Sequence, residues 1–413
     1  MQHRVVVTGM GAVTPIGNTV AEYWGGLISG RSGAANITHF DPVDHTTKFA
    51  CEVKNFDITE YLHPREAKRM DPFCHFAIGA ADQALKQADV NEGTCNKDRV
   101  GVIVGSGIGG ILSFELQCRE LAANGPRRIS PFFIPTMISD IAAGQISMKY
   151  QLRGLNYATT SACSTGSHAI GVAMRHLQFG DADVILAGGA EGSITPLGVG
   201  GFNAMKAIST RNDDPQHASR PFDKDRDGFV IGEGSGMLVL ETLEHALQRG
   251  AEILCEIAGI GFTADAHHIT APAPGGEGAV RAMHQAMADA GVNPEDIDYV
   301  NAHGTSTEYN DKFETQAIKT VFGEKAAGVA ISSTKSMTGH LLGAAGAIES
   351  ISCILAITNG VVPPTINYQT PDPECNLDYT PNEAREKKIK TALNNAFGFG
   401  GHNTSLIFKA FED

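Results

Sequence analysis

Short runs dense in β-branched and other apolar residues alternate along this chain with helical segments and glycine-rich turns. Residues 101–104 (GVIV), 184–187 (VILA), 298–302 (DYVNA) and 329–333 (VAISS) read as buried strands. Residues 72–88 read as a helix. Pro72 takes the first helical position after Asp71, where its missing N–H costs nothing, and Phe73, Phe76, Ala80, Ala84 and Ala88 form an apolar stripe. Residues 278–290 form a second helix with Val280, Met283 and Met287 on one face. The alternation is that of an α/β protein.

The pattern carries a weak internal echo. Gly166 to Gly180 and Gly346 to Gly360 are equally long, rich in small and apolar residues, and end in a glycine suited to a helix C-cap. On spacing alone, two ordinary core helices account for the echo as well as a duplication does. A chain of 413 residues is too long for one small core, so two domains or two fused halves are expected, split near residue 250 into 1–250 and 251–413.

Composition narrows the class. Hydrophobic residues are 42% and charged residues 19%, a globular balance. The start, MQHRVVVTGMGAV, has no basic leader before its β-branched run, so no signal peptide is expected. No run of about 18 apolar residues predicts a membrane span. The eight cysteines include no C-x-x-C pair, which speaks against a zinc site or disulfide scaffold and for a reducing, cytoplasmic setting. A net charge of −14 speaks against nucleic acid as a partner.

Four segments share one layout, a strand-like run entering a small-residue turn that carries a reactive side chain. They are NYATTSACSTG around Cys163, YVNAHGTST around His303, VAISSTKSMTGH ending at His340, and LNNAFGFGGHN around Phe399. Sites in α/β folds gather at the carboxyl ends of strands, so the four turns could converge. Small neighbours leave room at Cys163, and a helix starting just after it would favour thiolate and lower the thiol pKa. The other seven cysteines read as small buried hydrophobes. His303 and His340 each adjoin a glycine. Lys335 precedes His340 in a nearly uncharged stretch, and Glu349 on the following helix could pair with it.

Two further motifs fall away. VIVGSGIGG (102–110) resembles a dinucleotide turn but lacks a following strand with a ribose-binding acid. DKDRDG (223–228) resembles the start of a calcium loop, yet its twelfth position is Gly234 where a bidentate Glu is needed. No metal is expected.

Six segments in this order resemble the β-ketoacyl-[acyl carrier protein] synthases of the thiolase superfamily, most closely the type II enzymes of bacterial fatty-acid synthesis. They are VVVTGMGAVTPIG, TTSACSTG, RPFDKDRDGFVIGEG, NAHGTSTEYND, SSTKSMTGHLLGAAGAIES and NNAFGFGGHN. The resemblance covers essentially the whole chain. It implies a thiolase fold of two duplicated halves in a five-layered αβαβα arrangement, usually as a homodimer. It implies Cys163 as nucleophile, His303 and His340 as catalytic histidines, Lys335 and Glu349 as their support, and Phe399 as a gating residue. It implies Ile108, Phe202, Thr270, Thr305 and Thr307 as substrate-binding positions. The implied reaction is a decarboxylative condensation of malonyl-carrier thioester with an acyl chain on Cys163, with no cofactor beyond the substrates' phosphopantetheine. His402 departs from the family, many of whose members have Thr there; it adjoins the Phe399 loop and bears on its motion.

A thiolase acting on coenzyme A esters would need a second catalytic cysteine near the C-terminus, but the last one, Cys375, lies in a Pro/Asp-rich loop. A non-enzymatic chain-length partner subunit would lack the nucleophile. Acyl carrier protein, the implied partner, is acidic, so docking on an acidic chain needs a local basic patch. Lys68, Arg69, Arg127, Arg128 and Lys206 belong to the densest basic clusters and are the expected docking residues.

Overall fold

Two five-strand units with the same topology are joined along one edge into a single hydrogen-bonded sheet, which folds over so that the units form two layers, the first and the second sheet. The computed structural model describes residues 2–412. The first unit contains β1 (Val5–Val13), β2 (Val100–Gly105), β3 (Asn156–Tyr157), β4 (Val184–Glu191) and β5 (Gly234–Thr242). The second contains β6 (Cys255–Ala264), β7 (Tyr299–Asn301), β8 (Ala330–Ser332), β9 (Thr391–Gly398) and β10 (His402–Lys409). The full order is β8-β7-β9-β10-β6-β1-β5-β4-β2-β3. Within each unit the strands therefore run third, second, fourth, fifth, first. In both, third–second and second–fourth pair parallel, while fourth–fifth and fifth–first pair antiparallel. The units meet where β1 pairs with β6, at Val6–Glu256 and Val7–Cys255.

Helices cover both faces, so successive strand residues enter different cores. The helices used below are α1 (Pro72–Gln87), α2 (Ile111–Asn124), α3 (Thr165–Gln178), α4 (Glu277–Ala290), α5 (Glu308–Phe322), α6 (Lys335–Thr338) and α7 (Ala345–Asn359). On β4, Val184 and Leu186 face an outer core with Ala80 and Ala84 of α1, whereas Ile185 and Ala187 face a central core. On β9, Ala392 faces the central core and Leu393 an outer core with Met283 of α4 and Ile318 of α5. The central core contains α3 and α7, and Ile170, Ile351 and Ile354 on them are fully buried. Each such side chain contributes about 1.5–3 kcal/mol relative to exposure. The sequence of layers is α1, first sheet, α3 with α7, second sheet, α4 with α5.

Glycines set the distances between layers. Cβ atoms at Gly9 and Gly11 of β1 would lie 2.3 and 1.8 Å from the carbonyl oxygens of Ala84 and Ala80 on α1. Gly259 and Gly261 of β6 repeat this at 2.3 and 1.9 Å from Ala286 and Ala282 on α4. Between the sheets, a Cβ at Gly166 would lie 3.0 Å from Ala347 N, and one at Gly346 would lie 2.1 Å from Ser167 Oγ. The echoing segments thus face each other across equivalent contacts.

The expected strands and helices form, with differences of a residue or two at their ends, except that the strand expected at 184–187 runs four residues further, to Glu191. Two expectations need correction. Helix α1 is not buried along one stripe only: Ala77, Ile78 and Ala81 are also inaccessible, because Phe56 and the helix at Ile141–Tyr150 cover its second side. Cys118 is exposed on α2, unlike the other cysteines, all of which are buried. One stretch, Leu342–Asn359, is long and apolar enough to cross a membrane, but 83% of it is buried, and it includes the central helix α7.

Candidate active site

The four turns converge on a cavity of about 620 Å³ lined by Cys163, His303, His340 and Phe399. Ile108, Phe202, Thr270, Thr305 and Thr307 line it as well. Lys335 and Glu349 lie behind this wall, 1% exposed each. Cys375 is buried in the outer core of the second unit and does not reach the cavity.

Cys163 sits in a tight turn between β3 and α3. Ala162 has φ 51°, a left-handed conformation that costs a non-glycine residue energy and turns the following side chain toward the cavity. A 3₁₀ turn at Ala162–Ser164 then feeds α3. Ser164 Oγ holds the turn to the β9–β10 hairpin by donating to Ala396 O at 2.9 Å and His402 O at 2.8 Å. The helix start is present as expected, but the thiol environment is not simply activating. Burial pushes the Cys163 thiol up to about 12, against the pull of Lys335 and of the Phe399 N–H that hydrogen-bonds the sulfur. The expectation of a lowered thiol pKa left out this desolvation.

His303 follows β7 in a turn gripped from below by α5. The N–H groups of His303 and Gly304 donate to the two oxygens of Glu314, each at 2.8 Å. Those of Thr305 and Ser306 donate to Asp311 at 2.9 and 3.1 Å. Two carboxylates one helical turn apart therefore hold four successive amides. Burial pushes Glu314 up to about 7 despite these bonds. His340 does not directly follow a strand, as the shared layout implied; α6 intervenes after β8. Its turn is instead secured by backbone bonds to Val230 and Gly232 at 2.7 and 2.9 Å.

The histidine tautomers follow from their partners. Lys335 Nζ donates to His303 Nδ1 at 3.3 Å, and Leu342 N–H donates to His340 Nδ1 at 3.3 Å. Both rings therefore carry their proton on Nε2. Burial and the Lys335 charge hold both histidines well below 6.5, His340 adding to the effect on His303, so both are neutral donors at physiological pH. The rings meet edge to face, centroids 5.3 Å apart. Lys335 Nζ is also 2.5 Å from Glu349 on α7, and burial pushes this carboxyl up to about 7 although Lys335 opposes it.

Phe399 and Gly400 form the tip of the β9–β10 hairpin, and Gly400 N–H donates to Ile269 O at 2.8 Å in the loop carrying Thr270. His402 packs beneath this tip, its Nε2 2.8 Å from where a Gly400 Cβ would be. Thr305 and Thr307 hydroxyls pair at 2.9 Å. Phe202 meets Phe229 edge-on at 5.3 Å, and Ile108 is 42% exposed at the rim. Lys206 lines the cavity and is exposed. Lys68, Arg69, Arg127 and Arg128 are exposed but outside the cavity, with the Arg69 guanidinium 4.8 Å from the Phe132 ring centroid. In the discounted DKDRDG segment, Asp223 accepts the Gln369 and Thr370 amides at 2.6 and 2.7 Å, so its carboxylate is already engaged.

Sequence reading missed three carboxylates that shape the site: Asp311, Glu314 and Glu191. The first two stand three apart in NDKFET after the His303 motif, the spacing of one helix face. Glu191 ends an otherwise uncharged strand, VILAGGAE, where a charge predicts a specific partner set.

Comparison with known proteins agrees across the whole chain. The β-ketoacyl synthase N-terminal domain matches residues 2–246 and the β-ketoacyl synthase C-terminal domain residues 254–369. A 3-oxoacyl-[acyl-carrier-protein] synthase 2 of Synechocystis is 54% identical over 409 residues, covering 99% of this chain and 98% of that protein. One from Staphylococcus aureus (strain COL) is 53% identical over 411 residues, covering 99% of each. Among solved structures, a ketosynthase in complex with its type II polyketide acyl-carrier protein superposes with a TM-score of 0.93 at 37% identity, over 100% of both chains.

Proposed function

The chain belongs to the β-ketoacyl synthase family, and we propose from that premise that it is a 3-oxoacyl-[acyl carrier protein] synthase of fatty-acid elongation. The observation that carries the reading is the meeting of Cys163 with two neutral histidines, each with Nδ1 occupied, in one cavity.

Cys163 attacks an acyl-carrier thioester, and its proton leaves with the departing carrier thiol. The Cys163 and Phe399 N–H groups stabilise the oxyanion, each worth about 3 kcal/mol. Burial keeps Cys163 a thiol at rest, so its deprotonation accompanies acyl transfer. Malonyl-carrier thioester then binds and loses CO2. His303 and His340 donate Nε2–H bonds to the developing enolate oxygen, and the carbanion attacks the Cys163 thioester, extending the chain by two carbons and breaking the acyl C–S bond; the expelled Cys163 thiolate takes a proton from solvent and returns to the thiol. The decarboxylation supplies the carbanion, so no cofactor is required. Lys335 holds the His303 tautomer, and Glu349 balances the lysine. Thr305 and Thr307 contact the pantetheine arm, Phe202 and Thr270 the substrate. Ile108 bounds the acyl pocket, and Phe399 gates it.

The same reading divides the chain at residue 250 into a nucleophile-bearing and a histidine-bearing half. Acyl carrier protein docks on Lys68, Arg69, Arg127, Arg128 and Lys206, and the position of Lys206 at the cavity supports this. Homodimerisation is supported by the apolar side chains exposed at Phe114, Leu116, Phe132, Ile134 and Met148. Eight free cysteines fit a cytoplasmic setting.

Intact-protein mass spectrometry with acyl-carrier substrate tests the assignment. An adduct is expected in wild type and absent in Cys163→Ala, which still releases CO2 from malonyl-carrier substrate. His303→Ala and His340→Ala should each slow that release by about 10²-fold. An adduct on another cysteine, or unchanged CO2 release in both histidine variants, would overturn it.

A further inference from the structure

The nucleophile's turn occurs twice. Ala162-Cys163-Ser164 and Leu342-Gly343-Ala344 are each a 3₁₀ turn leading into a central helix, α3 or α7. Ala162 and Leu342 share the left-handed conformation, φ 51° and 47°. Gly343 is therefore the counterpart of Cys163, with its N–H in the corresponding place. That N–H is occupied by protein: it donates to Glu191 Oε2 at 3.0 Å, and Gly107 N–H donates to the same oxygen at 2.9 Å. Oε1 accepts from Ser106 Oγ at 3.0 Å and Ser193 Oγ at 3.1 Å. Glu191 is fully inaccessible, and burial pushes its carboxyl up while the bonds from Gly343, Ser106, Gly107 and Ser193 oppose this; the two amides can only donate, so Oε2 sits where an acceptor is required.

The two glycines make room for this carboxylate. A Cβ at Gly107 or at Gly343 would lie 2.8 Å from Glu191 Oε2, and the latter would also lie 2.3 Å from Gly107 N. Each glycine adjoins a cavity residue, Gly107 next to Ile108 and Gly343 next to Leu342. Leu342 in turn donates to His340 Nδ1.

Building on the proposed condensation, we propose that Glu191 is a positioning residue, an internal anion in the amide site of the second turn, joining the Ile108 wall of the acyl pocket to the turn that orients His340. One buried carboxylate thereby ties the pocket that measures the acyl chain to the histidine that assists decarboxylation. Its charge also acts on Cys163, opposing the thiolate. The resting enzyme is thus biased toward an unreactive thiol.

Three variants separate geometry from charge. In Glu191→Gln the amide oxygen can accept from Gly107 and Gly343 while its NH2 donates to the two serines, so contacts persist and charge is lost. In Glu191→Asp charge persists and reach is lost; in Glu191→Ala both are lost. Alkylation by iodoacetamide is followed at Cys163 by mass spectrometry, with exposed Cys118 as internal reference. The alkylation midpoint should move to lower pH in the Gln and Ala variants by about one pH unit, the order expected for removing one buried unit charge. It should not move in the Asp variant. The kcat for malonyl decarboxylation should fall about tenfold in Glu191→Ala and Glu191→Asp, with an altered ratio of long- to short-primer activity, and Glu191→Gln should recover most of both. An unshifted midpoint in Glu191→Gln, or wild-type decarboxylation and primer ratio in Glu191→Asp, would overturn the proposal. A wild-type protein inactive in condensation would refute the proposed reaction instead, while the alkylation shift, which needs no carrier substrate, would still decide the role of Glu191.

Discussion

Replacing Lys335 by methionine tests two effects of one ammonium group. Lys335 is 1% exposed, 2.5 Å from Glu349 and 3.3 Å from His303 Nδ1. Methionine nearly matches its length, so the change removes charge and leaves little void. Glu349 is then buried without a cation, its Oε2 already lacking a partner. Even with Lys335 in place, burial holds this carboxyl at about 7 against an ordinary 4.5. A difference of that size costs the folded protein about 3 kcal/mol at higher pH. Removing one partner of a buried pair costs on the order of 3–5 kcal/mol. The folded value lies above the unfolded one, so the native state keeps a proton that the unfolded chain releases. Stability on this account falls as pH rises from the unfolded value to the folded one. Without Lys335 the folded value rises further, and the fall continues beyond pH 7. Thermal unfolding from pH 5 to 9 should therefore show a gap between variant and wild type that widens with pH. In parallel His303 loses the donor that fixes its tautomer, and kcat for malonyl decarboxylation should fall about 10²-fold with little change in KM. Adding Glu349→Gln should flatten the pH dependence and restore stability without restoring decarboxylation. Parallel curves for the single variant, or recovered decarboxylation in the double variant, would refute the reasoning.

Three further outcomes are expected. Ile108→Phe should cut activity on long acyl primers far more than on short ones, measured across a graded substrate panel; a uniform loss would place Ile108 outside the acyl pocket. Charge reversal at Lys206, or at Lys68, Arg69, Arg127 and Arg128 together, should raise KM for acyl-carrier substrates, most at low salt, and leave small pantetheine thioesters near normal. Equal loss on both would mean that these residues act on the fold or the active site and not on docking. Gly261→Ala should destabilise by about 1–3 kcal/mol in chemical denaturation, because its methyl would lie 1.9 Å from Ala282 O. Gly291→Ala, with nothing within 4 Å and φ 63°, should cost only its backbone strain, about 1 kcal/mol; similar losses would mean that close approach is not what requires Gly261.

Local chemistry made much of this protein legible in its sequence. Two-sided burial requires nearly continuous apolar runs, so GVIV and VILA announce strands whatever their neighbours. A nucleophile, two histidines and a gating loop need small residues around them, and those residues sit next to the reactive ones in the chain. The Lys335–Glu349 pair was visible because a lone charge in an uncharged stretch requires a partner. Other features depend on residues remote in sequence. Equal length and similar composition could not distinguish duplication from coincidence in the Gly166 and Gly346 segments; the repeated strand order and the reciprocal contacts of these glycines do. The thiol of Cys163 looked activated from its helix start alone, because desolvation is set by everything packed around it. Glu191 read as one charge at the end of a strand. Its four donors come from three segments in both halves of the chain, and hydrogen bonds between segments so far apart exist only once the two sheets have closed on their central helices.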